Sequence, residues 1–136
     1  MQVPNMNEGL GLAAQYQPKV VVVDDEPFVL GPMAGYLSHT FAVSAFSDPA
    51  KALQHLEHCD ADLVIADYAM PQMDGYTFIT RARRLQPWVR TMMISGQYFL
   101  ESGMDSSDAS TVVDAFITKT AGMASLESCC RRLLGV

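Results

Sequence analysis

The chain has 136 residues, 49% of them hydrophobic, with a formal net charge of −6 and an isoelectric point near 4.8. Such a length and apolar content suit one globular domain with a real core, and the acidic balance argues against a nucleic-acid surface, which needs clustered Lys and Arg. Three cysteines, two of them adjacent at Cys129 and Cys130, make neither a disulfide framework nor a zinc pattern, and no run is long and apolar enough to span a membrane, so a reduced, cytoplasmic protein is expected.

Residues 1–18 mix Gly, Asn and Gln without a basic start or a long apolar run, and read as a flexible lead-in ending at Pro18. The domain is expected over residues 19–136. A β-branched run at 20–23 reads as the first strand, and a helix opens at Pro27, where a missing N–H costs nothing, and runs to about Ser38. A second strand at 41–46 leads to Ser47-Asp48-Pro49, the start of a helix carrying Ala52, Leu53 and Leu56 and ending near His58. After a third strand at 63–66, Asp74-Gly75 introduces a helix with the stripe Phe78, Ile79, Ala82 and Leu85. In this helix Arg81, Arg83 and Arg84 should face water, and Pro87 stops it. A fourth strand at 91–94 precedes a weak helical segment, because Gly103, Asp105, Ser106, Ser107, Asp108 and Ser110 all have poor helix propensity. The fifth strand falls at 115–118 and the last helix at 123–134, with Arg131 and Arg132 near its C-terminus, where the helix dipole favours cations. This strand–helix alternation predicts an α/β fold with a parallel sheet and helices on both faces.

In such a sheet the ligand site forms at the carboxyl ends of the strands. The first strand ends in Asp24-Asp25-Glu26, the third in Asp67, the fourth in Ser95-Gly96 and the fifth in Lys119. Carboxylates brought together repel unless a cation sits among them, and Mg2+ (or Mn2+) prefers oxygen ligands while leaving positions for a phosphoryl oxygen. Lys119 would pair with the same phosphoryl group as a point charge. Phosphoryl transfer needs a placed nucleophile and neutralised oxygens. Asp67 is the best nucleophile candidate, because the loop after it leaves the strand end open to a donor, while Asp24 and Asp25 are better placed to hold metal.

The segments VVVVDDEP, VIADYAMPQMDG, MMISG and DAFITK resemble the successive motifs of the response-regulator receiver family, and the resemblance covers nearly all of the chain after Pro18. It implies a single flavodoxin-like (βα)5 domain with strand order 2-1-3-4-5. It also implies Mg2+ on Asp24, Asp25, Asp67 and the backbone carbonyl of Ala69, an aspartyl phosphate at Asp67, and phosphoryl binding by Ser95 and Lys119. A switch is implied too, in which Ser95 moves toward the phosphoryl group and Phe116 turns inward into room left by Gly96, with Gln97 as a possible influence on water access. The implied donor is a histidine kinase or histidine phosphotransfer protein. The implied output is a downstream protein or a second copy, docked on the fourth helix, last strand and last helix; the acidic balance and the lack of a long apolar run leave no direct role expected for nucleic acid or membrane.

The family has proline after the lysine where this chain has Thr120. A non-proline cis bond costs about 3 kcal/mol, so the Lys119–Thr120 geometry, and with it the lysine contact, stays open. His39, His55 and His58 lie away from the expected site and receive no role. Met70 and Met73 offer a pliable surface for partners, whereas Met92 and Met93 fill the core. A stand-alone, protein-binding signalling module is the leading expectation. The alternatives are a phosphorylation-independent interaction domain, supported by Thr120 alone, and a magnesium-dependent aspartyl-phosphate phosphatase, disfavoured because Ala69 stands where a general acid would be needed.

Overall fold

A computed structural model of the chain describes residues 16–96 and 112–136. Five parallel strands, β1 (Lys19–Val23), β2 (Ala42–Phe46), β3 (Leu63–Asp67), β4 (Arg90–Ser95) and β5 (Ala115–Thr118), lie in the order β2-β1-β3-β4-β5. Four described helices accompany them: α1 (Pro27–Leu37), α2 (Pro49–His58), α3 (Gly75–Leu85) and α4 (Met123–Leu134). The weak segment after Gly96, Gln97 included, lies outside the described residues. The expected elements are found with shifts of a residue or so at their ends. Of the stretch expected as a lead-in, Tyr16 donates its hydroxyl to Asp62 Oδ2 at 2.9 Å, and buried Pro18 accepts a bond from the Ala42 amide at 2.9 Å.

The central strands are apolar on both sides because both faces are covered. Val21, Val23, Val64, Ala66 and Met93 point to one side, where Ala52 and Leu56 of α2 and Phe78, Ile79 and Ala82 of α3 meet them. Val20, Val22, Leu63, Ile65, Met92 and Ile94 point to the other, against Met33 and Leu37 of α1 and Leu126, Cys129 and Cys130 of α4. The starts of α2 and α3 follow their local chemistry. Asp48 accepts from the Ala50 amide at 2.9 Å with Pro49 next in line, and Asp74 accepts from the Thr77 amide at 2.8 Å. Gly135 closes α4 in the left-handed conformation, φ 71°.

Three expectations are corrected. Leu85 is 40% exposed and stands outside the α3 stripe. Arg83 is held across the fold and does not mostly face water, its side chain being 25% exposed. Its guanidinium donates to Val89 O and to Asp114 Oδ2, both at 2.9 Å, tying the approach to β4 to the approach to β5. Met70 is buried in the core and Met73 packs against it, so these two anchor the loop after Asp67 from inside.

Buried Gln86, at the end of α3, has no motif to announce it. Its Nε2 donates to Leu56 O and Cys59 O at 2.8 Å and its Oε1 accepts from the Ala61 amide at 2.9 Å, so one side-chain amide satisfies backbone groups at and just after the end of α2. Gln86→Leu orphans all three groups and is expected to cost about 2–4 kcal/mol, read as a lower denaturation midpoint with an unchanged slope. A loss under about 0.5 kcal/mol would mean that these groups find other partners.

Candidate functional site

Register brings the strand ends together. Val23 lies opposite Ala66, Asp67 opposite Ile94, and Ser95 opposite Thr118, so the residues that follow β1, β3, β4 and β5 share one edge of the sheet. Asp24, Asp67 and Ser95 are buried, at 0%, 2% and 1% exposure, and Asp25 is half-buried. A carboxylate oxygen from each of Asp24, Asp25 and Asp67 lies within 4.8 Å of the others.

Backbone bonds hold the frame. The Tyr68 amide donates to Ile94 O at 2.8 Å, the Gly75 amide closes the 68–75 loop on Tyr68 O at 2.7 Å, and the Lys119 amide donates to Ser95 O at 2.8 Å. The last of these sets the lysine directly beside the serine. Its Nζ then reaches Asp67 Oδ1 at 3.3 Å and Glu26 Oε1 at 3.4 Å. No peptide bond among the described residues is cis, so Lys119–Thr120 is trans, and the lysine reaches the aspartate without the family's proline. The one feature that favoured an interaction domain without phosphorylation therefore does not misdirect Lys119.

Charge is concentrated here at a cost. Burial pushes the Asp24 carboxyl up to about 6, against the opposing bond from the Glu26 amide, with the neighbouring Asp67 charge adding to the rise. Burial likewise raises Asp67, opposed by Lys119. Burial works against the Lys119 charge, but the carboxylates of Asp67, Asp24 and Glu26 outweigh it and hold its pKa above the ordinary lysine value. Four buried atoms of this site, Asp24 Oδ2, Asp25 Oδ1, Asp67 Oδ2 and Ser95 Oγ, have no hydrogen-bond partner among the described residues. Three of these are carboxylate oxygens, the hard donors that a small divalent cation takes, so the residues present fit Mg2+.

Of the remaining sequence candidates, Ala69 lies exposed in the loop after Asp67. Phe116 is half-buried on β5, opposite Met93, and packs against the core on the α2 and α3 side. No described atom lies within 4 Å of where a Cβ on Gly96 would sit. Glu26 is the residue sequence reasoning left without a role. Its only signal was a third acid directly after β1.

The fold and this acidic, lysine-flanked site define a receiver. The family model of the response regulator receiver domain matches residues 20–131, and the chain belongs to that family. Response regulator Rre1 of Synechocystis sp. is 32% identical over 120 residues, covering 85% of this chain and 51% of the relative. Sensor histidine kinase RcsC of Escherichia coli is 34% identical over 95 residues, 64% of this chain and 10% of the kinase. A CheY-like receiver domain protein from Methanospirillum hungatei superposes with a TM-score of 0.79 at 23% identity, covering 88% of this chain and 95% of that one. The chain thus spans about half of Rre1 and a small part of RcsC. It is a receiver domain of phosphorelay signalling, and no described helix is long and apolar enough to cross a membrane.

Proposed function

We propose that Asp67 accepts a phosphoryl group from a phosphohistidine of a histidine kinase or phosphotransfer protein, and that the product switches a protein-binding face. The observation that carries this is the convergence of Asp24, Asp25 and Asp67 oxygens within 4.8 Å, with Lys119 Nζ 3.3 Å from Asp67. An Asp67 carboxylate oxygen attacks phosphorus as the phosphorus–nitrogen bond breaks, and its electron pair returns to the imidazole nitrogen. Asp24, Asp25, Asp67 and the Ala69 backbone carbonyl would hold Mg2+ (or Mn2+), which supplies positive charge against the carboxylates and the transferring group. Lys119 balances charge on the same oxygens, and the partnerless Ser95 hydroxyl donates to one of them.

The added charge, nearly two units with three acceptor oxygens, favours whichever state offers it donors. In this reading Ser95 moves toward the phosphoryl group, and Phe116 turns inward with Gly96 leaving room. The segment after Gly96, β5 and α4 then present a changed face to a downstream protein or a second copy. Gln97 tunes water access. The role is signalling and not turnover, in a cytoplasmic setting, with residues 19–136 as the working domain. Nucleic acid is no direct partner, given nine Lys and Arg against fifteen Asp and Glu.

Incubation with acetyl phosphate and Mg2+, followed by intact mass, is expected to give one phosphoryl adduct on the native chain. None is expected on Asp67→Ala or with chelator present. An undiminished adduct on Asp67→Ala would remove Asp67 as the acceptor.

A further inference from the structure

Among the described residues Lys119 has two carboxylate partners, and the chemistry above uses one. The other, Glu26, is the N-cap of α1, where a side chain ordinarily accepts a bond from the helix's first turn. Glu26 makes no such bond, and its carboxylate lies beside the Lys119 ammonium at 3.4 Å, 93 residues away in the chain. It stands apart from the three clustered aspartates. Its side chain is 59% exposed while that of Asp67 is 2% exposed, so the ammonium is held between a solvent-side acid and a buried one.

We propose that Glu26 is a charge latch on Lys119, a specificity-determining residue that slows the entry of anionic phosphoryl donors to Asp67. This rests on the reading of Asp67 as acceptor. A donor coming from solvent meets the Glu26 carboxylate beside the cation it needs, and must draw Lys119 from that partner. Its own negative oxygens are repelled meanwhile. The carboxylate is exposed, so salt screens the effect and its size is modest. Removing the charge leaves Asp67 as the contacting carboxylate of Lys119 among the described residues, with more of the ammonium's hydrogen-bond capacity open to the incoming group. The latch therefore discriminates by donor charge: dianionic acetyl phosphate is slowed more than monoanionic phosphoramidate.

The test follows adduct formation by intact mass at saturating Mg2+ for the native chain, Glu26→Gln and Glu26→Asp, at low and high salt, with both donors. Glu26→Gln is expected to take the phosphoryl group about three- to tenfold faster from acetyl phosphate at low salt. The gain should be smaller with phosphoramidate and shrink at high salt, and Glu26→Asp should stay near the native rate. Calorimetry with beryllofluoride, an anion that mimics the phosphoryl group without transfer, should show tighter binding to Glu26→Gln by a similar factor. Equal rates and equal beryllofluoride affinity for native and Glu26→Gln would overturn the latch alone, as would a gain indifferent to salt and donor charge. No adduct on the native chain from either donor would overturn the acceptor reading, and the latch with it.

Discussion

Gly75→Ala is expected to destabilise the protein by about 3 kcal/mol or more and to abolish phosphoryl uptake, because no side chain fits where Gly75 sits. A Cβ there would lie 2.5 Å from Asp67 O, 2.9 Å from Tyr68 Cα and 3.0 Å from Asp67 C, all of them backbone atoms that no rotamer change can clear. The start of α3 is pressed directly against the strand end that carries Asp67, with the Gly75 amide bonded to Tyr68 O. Making room means moving either the helix, whose Phe78 and Ile79 are fully buried, or the aspartate itself. Chemical denaturation reads the first effect and intact mass after acetyl phosphate the second. A variant within about 1 kcal/mol of native that still accepts the phosphoryl group would show that this contact yields cheaply.

Asp24→Asn is expected to do the opposite in metal-free protein and stabilise it by about 1–3 kcal/mol at pH 7.5, while losing the rise in melting temperature expected when Mg2+ is added to the native chain. Asp24 is fully buried with its carboxyl raised to about 6, so ionising it near Asp67 and Asp25 costs stability. The sign follows from linkage. The folded state binds this proton more tightly than the unfolded chain, whose carboxyl stays near 3.8, so stability through this group is present below that value and is lost as pH rises to about 6 and beyond. Asparagine removes the charge and keeps an oxygen for the bond from the Glu26 amide, 2.9 Å in the native protein. Melting curves at pH 5 and pH 7.5, with and without Mg2+, separate the contributions. An Asp24→Asn variant less stable than native in chelator at pH 7.5, or one still stabilised as strongly by Mg2+, would contradict the picture of carboxylates whose mutual repulsion a cation relieves.

The parallel sheet and most element bounds were legible because the buried strands are uninterrupted apolar runs and the helix starts are marked by Asp48-Pro49 and Asp74-Gly75, whereas the strand order came from the resemblance to the receiver family. The polar strand ends were legible for the same reason, since a parallel sheet assembles whatever follows its strands at one edge. What the sequence hid depends on reach across the fold. Arg83 looks like one of three solvent-facing arginines until the approach to β5 places Asp114 beside it. Gln86 has no local pattern, and its three bonds exist only because the end of α2 arrives next to the end of α3. Met70 and Met73 look like loop methionines, yet the loop folds back through the Gly75 bond to Tyr68 and turns them inward. Glu26 reads as one acid among three, and only the arrival of Lys119 from the far side of the sheet gives it a separate partner. Thr120 suggested a misdirected lysine, but the bond from the Lys119 amide to Ser95 aims the side chain at Asp67 through a trans peptide.

The central claim, that Asp67 is the phosphoryl acceptor, is tested most directly by locating the modified residue. Borohydride reduction after treatment with acetyl phosphate and Mg2+ converts an aspartyl phosphate to homoserine, which peptide mass mapping assigns to a position. Homoserine at position 67 alone, absent when Mg2+ is chelated, is the expected result. Homoserine at a different aspartate, or an adduct that resists borohydride and therefore sits on another kind of side chain, would contradict it.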